Sequence, residues 1–123
     1  MKNTGNWKVA DLAFRQQSEI FALTKQLPKE ELYSLTSQVR RSSRAICANL
    51  AEAYSKRRYM AHFVSKLTDA EAENNETDVW LKIAMECGYI SPDQLQIIRK
   101  TNEQVGKLLY FMIHNPEKFC FIE

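Results

Sequence analysis

The three prolines of this chain lie only at the margins of four long stretches in which apolar residues recur at helical spacing, an arrangement that favours long helices over any other element. The first stretch runs from about Lys8 to Leu27. Val9, Leu12, Ala13, Ile20, Leu23 and Leu27 share one side, with Gln16 interrupting them. Pro28 stops this helix and suits the first turn of the next, with Glu30 and Glu31 near the positive end of its dipole. The second stretch runs from about Lys29 to Ser55. Leu32, Leu35, Val39, Ser42, Ile46, Asn49 and Ala53 follow alternating steps of three and four, the heptad seam of a bundle helix. Lys56-Arg57-Arg58 marks a connection to a third stretch, about Tyr59 to Cys87. Its stripe is Tyr59, Phe63, Leu67, Ala70, Asn74, Thr77, Leu81 and Ala84, and Gly88 is a C-terminal stop. Ser91 and Pro92 give the fourth helix an N-cap and a first-turn proline, and Gln94 completes a capping box. That helix turns Leu95, Ile98, Val105, Leu108, Leu109 and Met112 inward and ends near His114, before Asn115-Pro116.

Short links between long helices make neighbours antiparallel, so the expected fold is all-α, an up-down-up-down four-helix bundle. At 123 residues it forms one domain, with irregular ends at about residues 1–7 and 115–123. Three glycines and three prolines are too few for the turns of an all-β chain. The polar seam residues Asn49, Asn74 and Thr77 are expected to be buried, because they interrupt otherwise apolar stripes. Asn49 is expected to bond to a neighbouring helix, since an unmet buried amide costs about 1–3 kcal/mol.

The residues of common chemistries are not arranged for work. Cys47, Cys87 and Cys120 are scattered, with no CxxC pair, and fit reduced thiols in a cytoplasm. Neither His62 nor His114 follows a Glu at the spacing of a di-iron bundle, so the acidic residues of the third helix are expected to be a solvated or ion-paired face. No glycine-rich phosphate loop or membrane-length apolar run is present, and the polar stretch Met1 to Asn6 leads to the expectation of no secretory signal. The chain is expected to be non-enzymatic, with no cofactor, no metal and no small-molecule substrate.

Charge is unevenly placed. Residues 1–58 carry a net +6 and residues 59–123 a net −4. Either basic helices pack beside acidic ones, or a basic surface serves nucleic acid. On the second helix a face roughly opposite the seam, at about 140° to 220° from Val39, carries Ser37, Arg41, Arg44, Ala48, Glu52 and Ser55. Small residues punctuated by Arg and Glu suit a second subunit better than solvent. On the third helix Asp69, Glu73, Glu76 and Trp80 form an acidic strip able to complement it. The expected oligomer interface is therefore Arg41, Arg44, Ala48, Glu52, Glu73, Glu76 and Trp80. The alternative is RNA or DNA binding through Arg40, Arg41, Arg44, Lys56, Arg57 and Arg58, with Tyr54 and Tyr59 available to stack on bases.

The stretch LPKEELYSLTSQVRRSSRAICANLAEA, Leu27 to Ala53, resembles a family of four-helix-bundle proteins. They are named after open reading frames in the intervening sequences of bacterial 23S ribosomal RNA genes. The shared pattern takes in Pro28 to Glu31, Tyr33, Leu35, Thr36, Gln38 to Arg41, Ile46, Asn49 and Ala51-Glu52. Ala45, Ala53 and Ala72-Glu73-Asn74 depart from it, standing where the family has Ser, Gly and Gly-Ser-Leu. The resemblance implies a ring, commonly a pentamer. A related branch, the accessory proteins of diversity-generating retroelements, implies contact with nucleic acid.

Overall fold

The structure, a computed structural model, describes residues 7–121. It is built of four α-helices: α1 (Lys8–Leu23), α2 (Leu35–Ser55), α3 (Met60–Glu86) and α4 (Pro92–His114). Cross-links between side chains give their directions. Arg40 bonds to Thr24, Ser42 to Thr77, Arg99 to Asp78 and Asn102 to Gln16. Further along, Lys66 pairs with Glu52 and Gln26 with Gln94. In the α2–α3, α1–α4 and, with Asn74 bonded to Asn102, α3–α4 pairs the numbering rises on one partner as it falls on the other. For α1 and α2, Val9 and Leu12 share a cluster with Ile46 and Leu50, and Ile20 shares one with Leu35 and Val39. Each helix is thus antiparallel to its neighbours, and α4 closes the square against α1.

The helix ends follow local chemistry. Ser91 Oγ accepts from the Gln94 main-chain N–H at 3.0 Å, and Gln94 Oε1 accepts from Ser91 N at 2.9 Å, the reciprocal box that starts α4. Gly88 has φ +78°, a left-handed conformation that glycine adopts freely, and it ends the α3 segment. The link between α1 and α2 departs from expectation. α1 stops at Leu23, not Leu27, and a 3-10 turn (Thr24–Gln26) follows. Leu27 is driven extended, ψ 146°, because the Pro28 ring disfavours a helical residue before it. A second 3-10 turn covers Lys29–Glu31, and α2 begins only at Leu35. Glu31 caps that start: its Oε1 accepts from Ser34 Oγ at 2.6 Å and from Leu35 N at 3.4 Å. Oε2 of the same carboxylate accepts from Tyr89 OH at 3.0 Å, tying the α1–α2 link to the α3–α4 link.

Two apolar clusters fill the two ends of the bundle. One centres on Ile46, Leu50, Phe63, Leu67 and Leu109, the other on Ile20, Val39, Leu81, Leu95 and Ile98. Between them lies a belt of buried amides and hydroxyls. Asn102 Nδ2 donates to Gln16 Oε1 at 2.9 Å and to Asn74 Oδ1 at 3.1 Å. Gln16 Nε2 donates to Asn74 Oδ1 at 3.3 Å, and Asn74 Nδ2 donates to the Asn102 carbonyl at 3.0 Å. Ser42 and Thr77 share a hydroxyl bond of 2.8 Å. Asn74 and Thr77 are thus buried and satisfied. Asn49 is not part of the belt: it is half-buried and makes no side-chain hydrogen bond among the described residues, while Leu50 is fully buried. The inward positions of α2 run 46, 50, 53 because a helix of 3.6 residues per turn drifts off a strict heptad.

The C-terminal segment carries no α-helix but packs against the bundle. Pro116–Lys118 form a 3-10 turn, and Phe119 stacks on Phe63 with ring centroids 6.4 Å apart. Trp7 meets Tyr54, Phe63 and Phe119 edge-on, and Phe121 N donates to the Arg57 carbonyl at 3.1 Å. The remaining end residues, 1–6 and 122–123, lie outside the described residues.

Two measurements test this account. Asn102→Ala takes hydrogen-bond partners from both Gln16 and Asn74 and is expected to lower stability to urea by about 3 kcal/mol. Exposed Gln96→Ala is expected to stay within about 0.5 kcal/mol. The Tyr89 phenol is pushed up to about 12, first by its hydrogen bond to Glu31 and then by burial. Because the folded chain holds this proton more tightly, the contribution is complete below the ordinary value of 10.0 and is lost as pH rises toward about 12. A phenolate absorbance titration should show a late transition there, which Tyr89→Phe removes.

Candidate interaction surface

On α2 the long Arg41 side chain projects toward α3, which turns Glu73 and Glu76 the same way one helical turn apart. Arg41 Nη1 donates to Glu73 Oε2 at 2.9 Å and Nη2 to Glu73 Oε1 at 3.4 Å. The same Nη2 also pairs with Glu76. The hydrogen bond to Glu73, aided by the charge of both carboxylates, holds the Arg41 guanidinium above its ordinary range. Toward the other end Lys66 Nζ pairs with Glu52 Oε2 at 2.7 Å and with Asp69 Oδ2 at 3.8 Å. The basic and acidic strips therefore meet inside one chain. Arg41, Glu52, Glu73 and Glu76 have intrachain partners, because α2 and α3 are sequence neighbours and pack antiparallel with these residues in register. Trp80 is half-buried against the second apolar cluster, its indole N–H shielded from solvent and without a hydrogen-bond partner among the described residues. Arg44 and Ala48 are exposed.

The six basic residues considered for nucleic acid do not form one patch. Arg40 and Arg44 lie toward α1, with guanidinium carbons 4.5 and 5.5 Å from the centroid of Phe21. Arg40 Nε also donates to Thr24 Oγ1 at 2.8 Å. Lys25 Nζ lies 5.0 Å from the same ring centroid. Arg57 sits between Tyr54 and Phe121, at 3.7 and 4.4 Å from their centroids, and helps close the far end of the bundle. Along α2 the two groups are separated by about 25 Å. Lys56 and Arg58 are exposed beside Arg57. A groove of about 550 Å³ lies at the first group and is lined by Leu32, Tyr33, Ser37, Arg40, Arg41 and Arg44.

A third feature escaped the reading of the chain. Ala61, Ser65, Thr68, Ala72, Asn75, Val79 and Ile83 follow heptad steps along α3, and all seven are exposed. They repeat the buried seam about two positions earlier, a shift that rotates the face by about 200°. The strip carries no charge over about 33 Å. Its signal was present as a second phase of the same period, masked by the acidic residues that flank it.

Among the described residues, no three His, Cys, Asp or Glu side chains gather where a metal could be held. Burial raises the Cys47 thiol above its ordinary range, which keeps it protonated and poorly nucleophilic. No helix among the described residues is long and apolar enough to cross a membrane.

Because Arg41, Glu73 and Glu76 are partly solvent-exposed, their contribution to stability is modest. Arg41→Gln is expected to cost at most about 1 kcal/mol in chemical unfolding, and the loss should shrink as salt is added.

A family model described as 23S rRNA-intervening sequence protein matches residues 5–111. Among solved structures, the chain is similar to a protein with unknown function from the S23 ribosomal protein family of Bacteroides thetaiotaomicron, a crystal structure at 1.70 Å resolution. Identity is 31%, the match covers 87% of this chain and 96% of that one, and the TM-score is 0.79. No curated protein matches. The seam of α2, the four-helix architecture and the match over most of the length agree: the chain belongs to the 23S rRNA-intervening sequence protein family.

Proposed function

We propose that this protein is a non-enzymatic, homo-oligomeric helical bundle that acts as an assembly or adaptor module, with α3 as its self-association element. The uncharged, exposed heptad strip from Ala61 to Ile83 carries the reading. A solvated helix face ordinarily bears charges throughout, and α3 does so on both flanks of this strip. Instead, small side chains at Ala61, Ser65 and Ala72 allow close helix approach, and Val79, 52% exposed, and Ile83 supply apolar anchors. Asn75, mid-strip, gives a polar group able to set register, as a lone amide does in coiled coils. A second copy of the same chain suits such a strip, because an uncharged face demands no oppositely charged partner. The stoichiometry to test is the five-membered ring that the family resemblance implies. Three unpaired thiols, Cys47, Cys87 and Cys120, support placement in a reducing cytoplasm.

Sedimentation at micromolar concentration tests the reading. The expected species is a multiple of the 14.3 kDa chain, fivefold for the ring. Val79→Glu should shift the mass toward one chain while helical circular dichroism is retained. A wild-type species of 14.3 kDa overturns the proposal, as does an unchanged mass in Val79→Glu combined with Ala72→Glu.

A further inference from the structure

We infer that the surface where the end of α1 meets α2 binds single-stranded nucleic acid, with phosphates on Lys25, Arg40 and Arg44 and bases on Tyr33 and Phe21. Lys25, Arg40 and Arg44 crowd around one phenylalanine ring at 4.5 to 5.5 Å. Among the described residues none of the three lies within ion-pairing distance of a carboxylate. Arg41, which lines a groove with Arg40 and Arg44, is already matched by Glu73 and Glu76. Such a cluster is repulsive in the free protein, and the cation–π contacts offset that only in part. A polyanion removes the repulsion and releases its counterions on binding.

The shape favours a strand over a small anion. Tyr33, Arg40 and Arg44 line an open groove of about 550 Å³, and Lys25 lines a smaller one of about 140 Å³ that shares Leu32 and Arg40 with it, so the surface is continuous and open, not a closed pocket. Arg40 and Arg44 stand one helical turn apart, about 6 Å along the axis, so they are placed to follow successive phosphates. Tyr33 is 92% exposed at the rim and Phe21 is 38% exposed between the cations. Neither ring is needed to fill the core, and each offers a face on which a base stacks whatever its sequence. An acidic peptide would satisfy the cations but would leave the exposed tyrosine without a stacking partner. The site stands whether or not the chain assembles. If it does, repeating the groove around an oligomer raises the apparent affinity through avidity.

Fluorescence anisotropy of the full chain with labelled oligouridylate or oligothymidylate at low salt tests the site. Binding of either is expected, falling steeply as salt rises. Lys25→Gln with Arg44→Gln should weaken it roughly tenfold or more and flatten the salt slope by about two. Among the described residues neither side chain makes a hydrogen bond, so helicity should be unchanged. Tyr33→Ala should weaken binding about fivefold through lost stacking. Lys56→Gln with Lys100→Gln removes the same charge from outside the groove and should leave affinity within about twofold. Absence of binding at low salt overturns the inference. So does a control double variant as weak as the groove variant, or displacement of the oligonucleotide by polyglutamate as readily as by unlabelled strand. Solution mass measured on the same samples separates these outcomes from a failure of assembly.

Discussion

The buried amide cluster of Gln16, Asn74 and Asn102 constrains everything around it. Each amide group taken out of water loses hydrogen bonds that only these partners replace, and each unmet group costs about 1–3 kcal/mol. The three side chains come from α1, α3 and α4, and their bonds hold at 2.9 to 3.3 Å only when all three helices are in one register. Sliding any helix by a residue breaks the set. The apolar clusters above and below tolerate small shifts far better, because hydrophobic contact is not directional. The belt therefore supplies the specificity that the clusters lack, and the Ser42–Thr77 bond extends it to α2.

Register then decides where charge goes. With Ser42 beside Thr77, Arg41 falls next to Glu73 and Glu76, and Glu52 falls next to Lys66. Much of the imbalance between the basic first half and the acidic second half is absorbed at this seam. What remains is local. Positive charge at Lys25, Arg40 and Arg44 collects at one end of the α1–α2 face, and the outward strip of α3 is left with none. The two proposals rest on these two features left by the same packing, one on surplus charge and the other on its absence.

The ends of the bundle are closed by unlike means. Near the α1–α2 link, Glu31 gathers Ser34, Leu35 and Tyr89 into a polar clasp. At the opposite end Trp7, Phe63, Phe119 and the Arg57 guanidinium between Tyr54 and Phe121 make an aromatic lid. Both hold chain that has no regular helix of its own, and both draw on residues far apart in sequence.

By itself the sequence determined the four helices and most of their inward faces. Apolar period, the Ser91–Gln94 capping box, the Gly88 stop and the prolines act through neighbours a few residues away, so their consequences are local and legible. Leu35, Val39, Phe63, Leu67 and Leu81 face inward as their spacing demands. The tertiary structure alone decided the rest. It put Leu50 and not Asn49 in the core, because the true helical period accumulates a drift that a heptad count ignores. It made a polar belt from Gln16, which looked like an interruption, and Asn102, which attracted no notice, although they stand 86 residues apart. It also turned the charged strips toward each other within one chain, since partners across a helix pair follow from register, and register is a property of packed helices, not of any one of them.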